Sequence, residues 1–469
     1  MATKRFDLVI LGSGSAAFAA AIKADERGAS VAMTERGTVG GTCVNVGCIP
    51  SKNLIEAARA YWEAQHPRFD GILPVRPPLD FPALIAQEQA LVQELRQRKY
   101  LDIVDASERM RVFHGEARFL DSRAVSVGDE RLEADRFIIA TGARPLILDI
   151  PGLRDGAPYL TNEDVFALQG LPEKLLVIGG GFMALELGQA FQRFGSEVHL
   201  FERGDRLLAG AEPEVSEALR EYLAEEGVQI HTQAAVRSVK GVAGDVELAA
   251  VVDSRAQRFR GTHLLLAVGR MANSDSLNLD AVGVETGRDG FIPVDREMRT
   301  SADHVWAVGD VVGRPMATPV AAREGIIAVE NAIGGKHLEM DFSAIPRAVF
   351  TDPEVASVGL TDAEANEHGF SCRCNTIDLS SVPKAAAIRD TRGLVKIVAE
   401  NGTDRVLGVH ILANRAADIV HEAALALRQG LSLGDLVEMI HVYPTMSEAL
   451  KIAAQSFSKD VTKLSCCAE

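Results

Sequence analysis

The residues best suited to chemistry are two cysteines, Cys43 and Cys48, which are separated by Val-Asn-Val-Gly. In a regular helix, residues at this spacing have Cα atoms about 8–9 Å apart, whereas a disulfide needs about 4.4–6.8 Å. A bond between the sulfurs therefore requires irregular backbone, which Gly47 and Pro50 permit. In a cytosolic protein such a pair is more often catalytic than structural. One alternative is that the two cysteines are buried free thiols. The other is a structural zinc site, which is disfavoured because no second Cys-x-x-Cys or histidine pair lies nearby.

The remaining cysteines also lie in pairs, and six in 469 residues are too few for a disulfide scaffold. Cys466 and Cys467 are adjacent in the polar tail Leu-Ser-Cys-Cys-Ala-Glu. Either they are a functional thiol pair or they are tail thiols without a function. Cys372 and Cys374 are predicted to point to opposite faces of a strand and to serve in packing. An accessory thiol role is the alternative for that pair.

The elements that must position these thiols are predicted by a repeated glycine pattern. Two segments share a short β-branched run, the motif Gly-x-Gly-x-x-Ala, a helix-forming stretch and a second run that ends in an acid. The first glycine makes a tight turn, the second lets backbone approach a pyrophosphate, and the alanine keeps helix and strand close. The helix N-terminus then stabilises phosphates through its N–H groups and its dipole. The motif residues and acids are Gly12, Gly14, Ala17 and Glu35 in the first copy, and Gly179, Gly181, Ala184 and Glu202 in the second.

Two such units predict two dinucleotide sites in an α/β fold with Rossmann-like domains. Residues 136–142 and 263–270 are predicted to close the first and second units, and residues 304–310 to form a third strand that returns to the first. From Pro346 onward, alternating strands followed by Ala-rich helices indicate a separate α+β domain. The predicted divisions are the first unit at 1–150, the second at 151–271, a return to the first at 272–345 and the C-terminal domain with the Cys-Cys tail at 346–469.

Charge and hydropathy argue against two classes of protein. The net charge is −16, from 49 Lys and Arg against 65 Asp and Glu, whereas a nucleic-acid binder has a basic face. No apolar run reaches the roughly 18–20 residues that a membrane span needs. The N-terminal apolar run after Lys4 and Arg5 is too short for a signal peptide and turns directly into glycines. The composition predicts a cytoplasmic protein without nucleic-acid partners or a membrane span.

The segment from Gly40 to Lys52, Gly-Gly-Thr-Cys-Val-Asn-Val-Gly-Cys-Ile-Pro-Ser-Lys, resembles the redox centre of the flavin disulfide reductases. This family, class I of the pyridine nucleotide-disulfide oxidoreductases, includes glutathione reductase, dihydrolipoamide dehydrogenase and mercuric reductase. Ala-Thr-Gly-Ala at 140–143 and Val-Gly-Asp at 308–310 also match it, and the resemblance covers the whole chain. It implies FAD in the first dinucleotide site, NADPH or NADH in the second, and a homodimer with an active site shared between subunits.

The resemblance also implies roles for individual residues. Lys52 would lie against the flavin ring, Asp310 would bind the ribityl chain and Glu35 would bind the FAD ribose. Cys48 would be the thiol nearest the flavin, with Cys43 facing the substrate. Further FAD-binding positions, besides the first glycine motif, are Gly37, Thr42, Ala117, Gly142 and Thr318. The nicotinamide positions, besides the second motif and its acid, are Glu186, Arg203 and Gly269.

The choice between the two nicotinamide cofactors depends on the charges at the end of the second unit. Glu202 suits the free 2′-hydroxyl of NADH and repels a 2′-phosphate. Arg203 and Arg206 would counter that repulsion. The sequence therefore leaves NADPH and NADH both open, with NADH expected to work better than is usual for the mercuric reductases of the family.

The C-terminal segment distinguishes members of the family. Those that reduce disulfides carry His-Pro-Thr, whose histidine protonates the leaving thiol, but here Tyr443 precedes Pro-Thr. A phenol with a pKa of about 10 is a poor proton shuttle near pH 7, and His441 is the alternative base. The tail with Cys466 and Cys467 resembles that of the mercuric reductase branch. Pro319 stands where a second active-site tyrosine is expected, which puts the completeness of the inner metal site in doubt.

The resemblance therefore implies reduction of Hg(II) to Hg(0), with the tail thiols delivering the ion and Tyr443 assisting its ligation or exchange. Hg(II) is a soft ion that favours thiolates, and its implied ligands are Cys43, Cys48, Cys466 and Cys467. One alternative is a dihydrolipoamide- or glutathione-type disulfide reductase. The other is a flavoprotein that sequesters or senses metal through its thiols.

Overall fold

A computed structural model describes residues 2–313, 315–463 and 465. Its helices are α1 (Ser15–Glu26), α2 (Gly41–Val46), α3 (Cys48–Gln65), α4 (Phe81–Arg96), α5 (Asp102–Asp105), α6 (Asn162–Val165), α7 (Phe182–Phe194), α8 (Pro213–Glu225), α9 (Thr318–Ala332), α10 (Asp362–Glu367), α11 (Pro383–Ala387), α12 (Ala416–Gln429), α13 (Leu433–Glu438) and α14 (Glu448–Gln455). Among the residues described, no helix combines the length and the apolar character needed to cross a membrane.

The strands are β1 (Ala2–Arg5), β2 (Leu8–Leu11), β3 (Val31–Glu35), β4 (Met110–His114), β5 (Ala117–Asp121), β6 (Ala124–Val127), β7 (Glu130–Glu133), β8 (Phe137–Ile139), β9 (Ala143–Pro145), β10 (Lys174–Ile178), β11 (Glu197–Phe201), β12 (Gln229–His231), β13 (Ala235–Val242), β14 (Asp245–Val252), β15 (Arg255–Gly261), β16 (His263–Leu266), β17 (Arg270–Ala272), β18 (Val305–Ala307), β19 (Arg347–Val349), β20 (Glu354–Gly359), β21 (Cys372–Asp378), β22 (Leu394–Glu400) and β23 (Val406–Ala413).

The first dinucleotide unit is a parallel sheet in the order β18-β8-β2-β3-β4. Strand β2 is buried along its whole length, as expected for a parallel strand that is covered on both faces. Helix α1 begins soon after β2 ends and packs against α9. Strand β18, which lies far along the chain, pairs with β8 in this sheet.

The second unit repeats this arrangement with a parallel sheet in the order β12-β11-β10-β16. Helix α7 follows β10 and packs against β10 and β11, as α1 does in the first unit. An antiparallel sheet, β13-β14-β15, is inserted before β16. The predicted α/β class with two dinucleotide-binding units is confirmed.

The C-terminal part of the chain forms an antiparallel sheet in the order β19-β20-β23-β22-β21. Helix α12 packs on β20 and β23, and α14 packs on β21 and β22. Strands β22 and β23 are almost entirely buried, and many of their apolar side chains share a core with those of α12 and α14. The predicted α+β character of this region is confirmed, and β21 forms an edge of its sheet.

The prediction that Cys372 and Cys374 point to opposite faces of a strand is wrong. Both lie on β21, where they pair with Glu400 and Val398. Side chains alternate along a strand with a period of two, so residues two apart share a face. Both thiols accordingly contact the same carboxylate, that of Asp362 on α10.

Candidate active site

The two cysteines of the redox pair lie on consecutive helices. Cys43 is in α2 and Cys48 begins α3, and Gly47 between them has φ −133° and ψ −113°, which ends the first helix. A Cβ at this glycine would lie 2.9 Å from the carbonyl oxygen of Thr42, so a side chain here would displace α2. The irregular backbone predicted between the cysteines is confirmed. Both are free thiols in this structure, with Cys43 half-buried and Cys48 exposed.

The two sulfurs form a hydrogen-bonded pair of unequal acidity. The hydrogen bond from Cys43 lowers the pKa of Cys48 to about 6 against the effect of burial, with the Thr318 hydroxyl and the charge of Lys52 acting in the same direction. Thr318 Oγ1 lies 3.6 Å from Cys48 Sγ. The same hydrogen bond raises the pKa of Cys43. Near pH 7, Cys48 is therefore the thiolate, and thiolates are the reactive form of cysteine.

Lys52, on α3, connects the helix that begins at Cys48 to the second dinucleotide unit. Its Nζ lies 2.7 Å from Glu186 Oε2 on α7 and 4.5 Å from the ring centroid of Phe350. The Glu186 side chain is only 3% exposed, and its other carboxylate oxygen accepts a hydrogen bond from the Phe350 backbone N–H. Two predicted site residues, 134 positions apart in the chain, thus form one ion pair. The pair fixes the Lys52 ammonium group on the helix that begins at Cys48.

The first glycine motif forms a turn that larger residues do not fit. A Cβ at Gly12, where φ is 119°, would overlap the carbonyl oxygen of Ala140. Gly14 caps α1 without a side chain, so the N–H groups of the first helical turn are accessible to a phosphate. A Cβ on Gly41, at the start of α2, would lie 2.6 Å from Gly14 Cα. The two glycine backbones therefore set α2 directly against the phosphate-binding turn.

The groove beside this turn is lined by residues whose chemistry fits a dinucleotide. Glu35, Ala117 and Thr141 line it. The Glu35 carboxylate accepts hydrogen bonds from Ser13 Oγ and Gly37 N, both at 2.6 Å. Thr141 Oγ1 is buried and has no hydrogen-bond partner among the described residues. A buried hydroxyl without a partner is costly, and a polar oxygen of a bound dinucleotide would satisfy it.

Asp310, the predicted ribityl-binding residue, lies in a buried charged group that includes two residues missed by sequence analysis. Arg270 Nε is 3.8 Å from Asp310 Oδ2, and its guanidinium also donates to Thr42 Oγ1. Burial raises the pKa of Asp310 and raises that of Glu324 to about 7. Glu324 Oε2 accepts from Gly309 N at 2.7 Å. The place of Arg270 at the end of a predicted closing strand is a usable signal, whereas Glu324 lies inside α9 with no motif to mark it.

The second glycine motif repeats the geometry of the first. Gly179 has φ 126° and leaves no room for a Cβ, and Ala184, like Ala17, is fully buried between helix and strand. Glu202 Oε1 accepts a hydrogen bond from Gly204 N at 2.5 Å. Glu35 likewise accepts from the backbone N–H of the residue two positions after it, Gly37. Arg206 donates to a backbone carbonyl in its own loop, and Arg203 is exposed.

The C-terminal residues considered as proton donors lie between α13 and α14. Tyr443 is 45% exposed. The His441 side chain is 4% exposed, with Nε2 at 2.9 Å from Glu422 Oε1 and Nδ1 at 3.2 Å from the Met439 carbonyl oxygen. Both ring nitrogens of His441 are thus engaged inside their own domain. This arrangement counts against His441 as a base for an external substrate, since such a base must reach the proton that it transfers.

The structure brings part of the predicted set into one place. Five of the predicted residues are linked by direct interactions: Cys43, Cys48, Lys52, Glu186 and Thr318. Gly142 and Gly269 follow the closing strands of their units with φ of 68° and 122°. Pro319, at the position where a second active-site tyrosine was expected, is in the first turn of α9, where proline is favoured. Cys466 and Cys467 lie outside the described residues.

Two dinucleotide folds with a thiol pair between them define an oxidoreductase that couples a nicotinamide to thiol chemistry. The family described as pyridine nucleotide-disulphide oxidoreductase matches residues 6–325, and its dimerisation domain matches residues 345–454. The chain belongs to the pyridine nucleotide-disulphide oxidoreductase family.

Several relatives are similar over nearly the whole chain. A mercuric reductase of Streptomyces lividans is 45% identical, covering 99% of this chain and 98% of that protein. One of Lysinibacillus sphaericus is 43% identical over 99% of this chain and 84% of that protein. Among solved structures, the Cu(II) complex of the HOCl-induced flavoprotein disulfide reductase RclA from Escherichia coli is 27% identical, with a TM-score of 0.87 over 97% of this chain and all of that one.

Proposed function

We propose that the protein reduces Hg(II) to Hg(0) with electrons from NADPH or NADH, so that Hg(II) and NAD(P)H give Hg(0), NAD(P)⁺ and a proton. The observation that carries the proposal is the Cys43–Cys48 pair, in which the hydrogen bond from Cys43 lowers the pKa of Cys48 and so favours a thiolate, a ligand for a soft ion. The position of a disulfide reductase's histidine is taken by Tyr443. Similarity to mercuric reductases along nearly the entire chain supports the same substrate.

The chain's own residues bind the ion and hold the charges around it. Cys48 contributes a thiolate, which Lys52 stabilises because Glu186 keeps its ammonium group in place. Cys43 loses its proton to solvent when a metal–sulfur bond replaces its S–H bond. Bound FAD supplies the two-electron carrier between the nicotinamide and these thiols. The product is a neutral metal atom and not a thiol, so no proton donor is needed where Tyr443 stands.

Delivery of the ion is assigned to Cys466 and Cys467 of the partner subunit in a homodimer. Transfer from the tail to the inner pair would proceed by successive thiolate exchange at the metal, with Tyr443 assisting. The segment around Tyr443 supports a subunit contact there, because Ile440 is 90% and Val442 78% exposed in the single subunit. Neighbouring exposed apolar side chains of this kind mark interaction surfaces.

The remaining assignments belong to the same proposal. FAD occupies the unit formed by residues 1–150 and 272–345, NAD(P)H occupies residues 151–271, and residues 346–469 make the dimer. We place the enzyme in the cytoplasm, where thiols stay reduced. The cofactor-binding residues include those that line the two glycine turns, with Glu35 and Glu202 at the ends of their second strands. Lys52, Asp310 and Thr318 belong to the FAD site, and Glu186 to the nicotinamide site.

Oxidation of NAD(P)H by the purified FAD-loaded protein tests the function. The assay contains excess small thiol and one of three acceptors: Hg(II), oxidised glutathione or lipoamide. We expect oxidation that depends on Hg(II), with loss of mercury as vapour, and little turnover of the disulfides. Rapid turnover of a disulfide with inhibition by Hg(II) would establish a disulfide reductase instead. Binding of Hg(II) without consumption of NAD(P)H would indicate sequestration.

A further inference from the structure

A second thiol cluster lies on the C-terminal antiparallel sheet, away from the helices of the redox pair. Cys372 and Cys374 project from one face of the edge strand β21 towards Asp362, the first residue of α10. The two sulfurs and a carboxylate oxygen of Asp362 all lie within 4.8 Å of one another, and the three residues are half-buried. Cys372 Sγ is 3.4 Å from Asp362 Oδ1.

We propose that Cys372, Cys374 and Asp362 bind one thiophilic divalent cation, of the class of Zn(II) and Cd(II), at a site separate from the redox pair. Two thiolates select soft and borderline ions, and a carboxylate oxygen is an accepted third ligand. Metal–sulfur bonds of about 2.3 Å place two sulfurs on one tetrahedral ion roughly 4 Å apart. The observed cluster meets that requirement with small side-chain movements. Three protein ligands leave one position for water or an external ligand.

The carboxylate is held in place before an ion arrives. Thr361 closes a capping box at the start of α10, and Asp362 N donates to Glu212 Oε1 at 2.7 Å. Asn366 Nδ2 donates to Asp362 Oδ1 at 3.0 Å. The cysteines are fixed by the pairing of β21 with β22. The ligands thus come from two rigid elements in contact, which lowers the ordering cost of binding.

Binding of a cation exchanges the two thiol protons for metal. Both thiols donate hydrogen bonds to the Asp362 carboxylate in this structure. An entering ion displaces both thiol protons to solvent and forms two metal–sulfur bonds and one metal–oxygen bond, without electron transfer. Three anionic ligands exceed a divalent charge by one, and the nearby ammonium group of Lys396 is already paired with Glu212 and Glu214.

Equilibrium dialysis with Cd(II) tests the site in the FAD-loaded, oxidised protein that carries Cys466→Ser and Cys467→Ser. Oxidation joins Cys43 to Cys48, so a thiol titration should find two free thiols per subunit, those of the second cluster. We expect one Cd(II) per subunit together with ultraviolet sulfur-to-cadmium absorption. Absence of binding, or of titratable thiols, would overturn the proposal.

Variants of the cluster assign the ligands. Adding Cys372→Ser and Cys374→Ser should abolish binding, and Asp362→Asn should weaken it about tenfold or more while the sulfur absorption remains. Asp404→Asn is the matched control, because Asp404 binds Arg373 on the same strand outside the cluster, and it should leave affinity unchanged. Retention of Cd(II) by the double serine variant would overturn the site, and unchanged affinity in Asp362→Asn would remove the carboxylate from it. Should the serine variant fail to fold, protection of both cysteines from alkylation by Cd(II) in the parent, mapped by peptide mass spectrometry, decides the same question.

Discussion

The acidity of Cys48 can be tested by removing the hydrogen-bond donor that contributes most to it. A hydrogen bond to a charged group contributes about 1.5–3 kcal/mol, and the lower end applies because an S–H group is a weak donor. Since about 1.4 kcal/mol corresponds to one pKa unit, Cys43→Ala should raise the pKa of Cys48 from about 6 by roughly one unit. Cys43→Ser is the matched control, because a hydroxyl can still donate.

The assay is the rate of iodoacetamide modification of the peptide containing Cys48, followed from pH 5 to 9 in both FAD-loaded variants. The thiolate is the reacting species, so a raised pKa slows the reaction below neutral pH and leaves it unchanged where both thiols are ionised. We expect the alanine variant to react about fivefold more slowly near pH 6 and the rates to converge above about pH 8. Identical profiles would refute the hydrogen bond as the cause. A pKa near the ordinary 9.0 in both variants would refute the thiolate.

Three further predictions follow from the site. Replacing Cys466 and Cys467 by serine should sharply slow turnover of thiol-bound Hg(II) but affect bromide-bound Hg(II) less, because small complexes reach the inner pair directly. If the variant turned over thiol-bound Hg(II) as fast as the unsubstituted protein, delivery by the tail would be excluded. Glu202→Ala should improve NADPH use relative to NADH by several-fold, as loss of one like charge near a phosphate changes the barrier by about 1 kcal/mol, and an unchanged kcat/KM ratio would show that the carboxylate does not face the ribose. Gly47→Ala should lower the free energy of unfolding, measured in urea, by about 1–3 kcal/mol, whereas Gly210→Ala, with open space around the site, should not. Equal stabilities of the two variants would show that α2 shifts to accommodate the side chain with no loss of stability.

Features that depend on neighbouring residues could be predicted from the sequence. The glycine turns and their acids follow from local spacing, and in both units the acid accepts a backbone N–H two residues ahead, at Gly37 and Gly204. The break between α2 and α3 followed from the length of a helical turn and the presence of Gly47. Each of these depends on backbone conformation within a few residues, where sequence patterns carry direct information.

Contacts between distant segments could not be predicted in the same way. Nothing in the residues around Glu324 indicates that its carboxylate meets Gly309 N, since that contact depends on the approach of α9 to the end of β18. The approach of Asp362 to the two cysteines of β21 likewise requires the packing of α10 on the sheet edge. The contact of His441 with Glu422, which holds the imidazole inside its own domain, is likewise not indicated by the residues around the histidine.

The contact of Gly14 with Gly41 makes the position of α2 insensitive to most side-chain substitutions. The start of α2 meets the phosphate-binding turn backbone to backbone, so no rotatable side chain stands between the two segments at this point. Rotamer changes of neighbouring side chains therefore leave this spacing unaltered. Substitutions around the site can change its charges and shape without moving α2, whereas a side chain at Gly41 must displace main chain.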